Sequence, residues 1–125
     1  MRIDKNDIPV VMAVPGATAR QVAAGGDLAA EYFSLGAGTD IAPLLHGLEH
    51  DACQVPHWGY VISGTLVVTY TDDRGSDQCV GGDCFYWPAG HSVRVEHDAE
   101  VVLFSPHHDH AAVIDHMKAN LASMA

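Results

Sequence analysis

Two donor side chains four residues apart, Cys53 and His57, stand immediately ahead of the apolar run Trp58-Gly-Tyr-Val-Ile62. In extended or looped backbone that separation lets a thiol and an imidazole reach one point. A third donor, His91, follows the turn Pro88-Ala-Gly90 and starts a run whose alternate residues are Val93 and Val95. Thiolate and imidazole suit zinc, ferrous iron, nickel or copper, whereas magnesium and calcium prefer shells of oxygen. Three protein donors also leave coordination positions for water or substrate, as a catalytic metal requires. Cys53, His57 and His91 are therefore the candidate ligands, with zinc or ferrous iron the expected ion. His50 and Asp51 are candidates for a fourth position.

The same residues have a plainer account. A histidine on an apolar strand face is commonly a hydrogen-bonded core residue, and a lone cysteine a small hydrophobe. His46 and His50 flank Gly47-Leu-Glu49 in a loop and read as solvent-exposed. The His107-His-Asp-His110 cluster falls in the first turn of a helix, where side chains splay around the axis, and reads as a solvated helix start. Cys79 and Cys84 receive no role. Trp58, Tyr60, Tyr86 and Trp87 read mainly as packing, with Tyr60, Tyr86 and Trp87 the candidates for shaping a pocket. The sequence has no Gly-x-Ser-x-Gly elbow and no phosphate-cradling glycine loop.

The elements that must position these groups read as short strands. Residues 10–14, 18–24 and 28–35 are separated by Pro15-Gly16 and Gly25-Gly26-Asp27, and on the last of them Glu31 and Phe33 share a face. Residues 41–48 read as a further strand or extended segment interrupted at Pro43. After Pro56, alternation puts His57, Gly59 and Val61 on one face and Trp58, Tyr60 and Ile62 on the other, and Gly64 ends the strand in a turn. Residues 65–71, 78–80, 84–87, 91–95 and 101–105 continue the rhythm, cut by turn residues that include His97-Asp98. Such regular short strands indicate an all-β sandwich or barrel. Ser105 is placed to cap a closing helix with Pro106 at its first position, along which Val113, Ile114, Met117, Leu121 and Met124 recur at helical spacing.

A chain of 125 residues makes one domain, with N-terminal strands over 1–36, a barrel core over 37–105 and the helix over 106–125. The net charge of −10, from 16 acidic and 6 basic side chains, repels phosphate backbones and anionic membranes. Neither nucleic acid nor membrane is expected as a partner, and a small neutral or cationic molecule fits better. An odd count of 3 cysteines, no secretory signal pattern and no apolar run long enough for a membrane span point to a cytoplasmic protein with reduced thiols.

Two stretches resemble the motifs of the cupin superfamily, G-x5-H-x-H-x3,4-E-x6-G and G-x5-P-x-G-x2-H-x3-N. Gly82, five residues and Pro88-Ala-Gly90 match the start of the second, and Gly64 matches the end of the first. The ligand positions differ. His57 stands at the glutamate position, and the two histidine positions hold Asp51 and Cys53 or, with the longer spacing, His50 and Ala52. Val93 stands at the second motif's histidine position, with His91 two residues earlier on the same face, and His97 at its asparagine position. Pro56-His-Trp-Gly-Tyr-Val61, Trp87-Pro-Ala-Gly-His91 and Phe104-Ser-Pro106 resemble small single-domain cupins. The resemblance implies an all-β, double-stranded β-helix barrel with a C-terminal helix, and a remodelled site with Cys53, His57 and His91 inside it. The expected function is binding of a divalent metal and a small organic ligand, as a dioxygenase, isomerase or lyase. The alternative is a non-catalytic ligand-binding or sensor module. A homodimer is expected, because the N-terminal strands and the helix stripe leave edges to cover.

Overall fold

The computed structural model describes residues 1–124. Its strands are β1 (Val10–Val14), β2 (Ala17–Gly25), β3 (Leu28–Leu35), β4 (His57–Tyr70), β5 (Ser76–Val80), β6 (Cys84–Trp87) and β7 (His91–Pro106), followed by the helix α1 (His107–Ser123). They form one antiparallel sheet in the order β1-β2-β3-β7-β4-β5, with β6 paired to the first residues of β4.

The two long strands decide the shape. The expected turn at Gly64 and break at His97-Asp98 are corrected, because both fall inside continuous strands, β4 and β7. What the glycine marks is a bulge: the β4–β7 register shifts three times between Val61 and Leu66. Gly64 has φ 92°, and a Cβ there would overlap the carbonyl oxygen of Asp98. Bulges bend a strand and increase its twist. The bend brings the first half of β4, with Val61, against the second half, with Leu66 and Val68, so both join one core with Val93, Val95, Val101 and Leu103. Burying each such side chain contributes about 1.5–3 kcal/mol.

A second cluster ties α1 to the connection between β3 and β4, through Leu45, Cys53, Val55, Val113 and Met117. Residues 41–48, expected to be extended, instead contain the 3₁₀ turn Ala42–Leu45. Pro43 sits in its first turn, where a missing N–H leaves no hydrogen bond unmade. The turn points Leu45 inward to complete burial, and Asn120 Nδ2 on α1 donates to Leu44 O and His46 O at 2.8 Å each. The helix begins without the expected Ser105 cap, since Pro106 is its N-cap and no side-chain hydrogen bond caps it. Among the described residues no helix is long and apolar enough to cross a membrane.

Candidate metal centre

Local backbone geometry brings the three expected donors together. Cys53 N–H donates to His91 O at 2.8 Å and His91 N–H returns to Cys53 O at 3.2 Å, a bridge that sets the thiol beside the first residue of β7. His57 opens β4 opposite Trp87, and strand alternation turns it inward with Val61 while Trp58, Tyr60 and Ile62 face out. The donor atoms of Cys53, His57 and His91 lie within 4.8 Å of one another, and all three residues are at most 3% exposed.

Each ring is fixed through Nδ1. His91 Nδ1–H donates to Pro88 O at 2.8 Å. His57 Nδ1 lies 2.6 Å from Ser105 Oγ, whose own hydroxyl donates to the Glu31 carboxylate, so the imidazole is the donor to the serine. A fourth residue, His110 from the first turn of α1, donates Nδ1–H to the other Glu31 oxygen at 2.5 Å. Gln21 Nε2 adds a donor to Glu31 at 3.3 Å. With Nδ1 so engaged, every ring keeps Nε2 for a cation or a proton. Rings held this way by carbonyl and carboxylate acceptors are the usual surroundings of metal-ligating histidines.

The Cys53–His57 separation fits such an ion. Bonds of about 2.3 Å to sulfur and 2.0–2.1 Å to nitrogen in a tetrahedron separate the two donor atoms by roughly 3.6 Å. Cys53 Sγ and His57 Nε2 are 3.7 Å apart. Burial alone would raise the Cys53 pKa, but the imidazoles of His110, His57 and His91 beside the sulfur overcome it and hold the thiol at about 3. Burial pushes His57 down, against the hydrogen bond to Cys53. His110 moves the other way: burial would lower it, yet Cys53 and the Glu31 carboxylate raise it to about 9. The cluster therefore favours a thiolate facing an imidazolium, the state from which a cation can displace a proton.

Three expectations are corrected here. His110 is not part of a solvated helix start, being 4% exposed and packed on His57 with ring centroids 4.3 Å apart. His50 and Asp51 do not join the cluster. Both are exposed, His50 beside Glu49 and Asp51 beside His46, accepting from Gly47 N–H. Tyr60 and Tyr86 lie on the outer face, half-exposed, and only Trp87 of the expected pocket residues turns in. The structure adds Glu31, Ser105 and His110 to the cluster, none of them expected there from the sequence. Each had a signal: a carboxylate on the Phe33 face of an apolar strand, a serine alternating with Val101 and Leu103, and a histidine one turn before Val113 and Ile114 on the helix stripe.

The cluster forms one wall of a cavity of about 70 Å³ enclosed by the barrel and α1, whose other walls include Phe33, Leu66, Trp87, Val95, Val101 and Ile114. Outside the cluster, every lining side chain is aliphatic, aromatic or methionine.

No protein-family model matches the chain, and no curated protein matches it in sequence. Solved structures do. The Lactobacillus farciminis oxalate decarboxylase, in its formate complex, superposes with a TM-score of 0.63 at 24% identity over 82% of this chain and 31% of that one. Bacillus subtilis oxalate decarboxylase, with its Mn(II) centres, gives 0.62 at 25% identity over 82% and 28%. An RmlC-like cupin from Shewanella frigidimarina gives 0.58 at 19% identity, covering 83% of this chain and 88% of that one. The chain thus spans about a third of the length of the decarboxylases it matches. The fold is that of a small cupin barrel closed by a C-terminal helix. Within that fold, a Cys/His cluster that could hold a metal occupies the interior.

Proposed function

We propose that this cupin-fold chain binds a divalent transition metal, zinc or ferrous iron, through Cys53, His57 and His91, and a small organic molecule in the adjoining cavity. The observation that carries the reading is the set of Nδ1 hydrogen bonds, which fixes both ligand imidazoles with Nε2 free beside a buried thiolate. Soft sulfur with two imidazole nitrogens selects such ions over magnesium or calcium. When bound, the ion supplies Lewis-acid or redox chemistry, the basis for isomerase, lyase or dioxygenase activity. The chain's own residues do the rest. Ser105 and Glu31 orient His57, the Glu31–His110 pair holds a proton next to Cys53 until the ion displaces it, and the apolar walls exclude water.

Metal content of untagged protein, measured by mass spectrometry beside Cys53→Ala, His57→Ala and His91→Ala variants of equal fold quality, tests this. Near-stoichiometric metal in the parent, lost in all three, is expected. No metal after reconstitution with zinc and with ferrous iron would end the reading. A substrate screen then separates enzyme from sensor: turnover abolished in His57→Ala supports catalysis, and affinity without turnover supports a ligand-binding module.

A further inference from the structure

The cavity's walls also restrict what can enter it. The chain has 6 lysines and arginines, and none lines the cavity. Arg2 and Arg94 pair with Asp4 and Glu96 at the surface, and Lys5 lies over the Tyr32 ring. Arg20 donates to Ile8 O, Arg74 is spent on Thr71, Ala89 and Gly90, and Lys118 is exposed on α1. No lysine or arginine is therefore available to an anionic ligand.

A carboxylate or phosphate would bring a negative charge into a space walled, outside the Cys/His cluster, by aliphatic, aromatic and methionine side chains, where burying a charge is costly. Size limits the choice as well. At about 70 Å³ the space is roughly half that of engineered apolar cavities of about 150 Å³ that hold benzene or xenon.

We infer that the cavity takes a small, uncharged, largely apolar molecule and rejects carboxylates and phosphates of similar size. The inference rests on the proposed binding of a small organic molecule in this cavity, and its argument is the wall chemistry and the size of the space. The ligand class accordingly differs from oxalate and formate, the anions named for the structurally similar decarboxylases.

Xenon and formate are both small and differ in charge, so they make the test. Each is titrated into metal-loaded and into chelator-treated protein, following the methyl resonances of Leu66, Val95, Val101 and Ile114 by NMR. Saturable xenon shifts confined to these methyls are expected in both forms, with formate binding at least roughly tenfold weaker. Val101→Phe, which fills the space, should remove the xenon response, and Ala19→Leu should do so from β2 if the first variant does not fold. Saturable formate shifts in the same methyls, in either form, overturn the inference, and so does a wild-type protein that gives no xenon response. Xenon binding with formate excluded, in a protein that takes up no metal, supports this inference while ending the metal reading alone.

Discussion

Glu31 is the residue on which the site's geometry converges. It is fully buried, reaches no lysine or arginine, and receives its hydrogen bonds from Ser105, His110 and Gln21. A carboxylate held in that way orients both imidazoles rather than stabilising the core, because a buried charge balanced only by imidazole is costly. Glu31→Gln keeps the shape and removes the charge. It should weaken metal binding by about 10–100-fold, as loss of outer partners of ligating histidines does, while Cys53→Ala abolishes it. Chelator competition measures both. The raised pKa of His110, about 9, adds a pH dependence. Below that value His110 carries a proton that an incoming cation must displace, so affinity should fall by about tenfold per pH unit as pH drops from 8 to 6. A flat profile would show that the His110 proton is not coupled to the metal. Cys53, held at about 3, is already a thiolate across this range and adds no slope.

At the scale of elements, the bends in β4 and β7 do the positioning. His57 and Ser105 lie near opposite ends of these strands in sequence, at the start of one and the end of the other, yet antiparallel pairing of Trp58 with Phe104 brings them together. Gly64 makes the bend possible. Gly64→Ala forces a side chain into a left-handed conformation against the Asp98 carbonyl, and should cost about 1–3 kcal/mol or more. Chemical denaturation should show a lower midpoint with an unchanged slope. The helix contributes His110 only because Val113, Ile114 and Met117 seat it on the barrel mouth. Leu45→Ala, which removes the fully buried side chain beneath it, should therefore cost about 2–5 kcal/mol and reduce metal affinity together.

The whole molecule leaves one face uncovered. Trp58, Tyr60, Ile62, Tyr86 and Phe104 are each 42–54% exposed on the outside of the strands whose inner side carries the site, and Trp58 stacks on Tyr86 with centroids 5.3 Å apart. Contiguous exposed apolar patches of this kind mark association surfaces. We propose the patch as the surface of the expected homodimer, its five side chains adding no charge of their own to the repulsion between two copies at −10 each. Sedimentation equilibrium should report a dimer that Trp58→Glu with Tyr86→Glu dissociates. A wild-type monomer at tens of micromolar would remove the homodimer expectation.

By itself the sequence determined that most of the chain is strand, that His57, Gly59 and Val61 share one strand face, that a helix closes the chain, and that Cys53, His57 and His91 are candidate donors. Those follow from period-two alternation, turn residues and donor chemistry, all local in the chain. Other assignments needed the tertiary structure. Whether Gly64 ends a strand or bends it depends on what β4 pairs with, since the same glycine serves either role. Ser105 reads as a helix cap until Glu31, 74 residues away, accepts a hydrogen bond from its hydroxyl. His110 reads as solvated until the helix docks and its ring meets a carboxylate 79 residues distant. Tyr60 and Tyr86 alternate in a way that allows either face, and only closure of the barrel decides which face is inside. Long-range pairing carries no local signature, so the partners of a buried polar group are settled by the fold and not by the residues beside it.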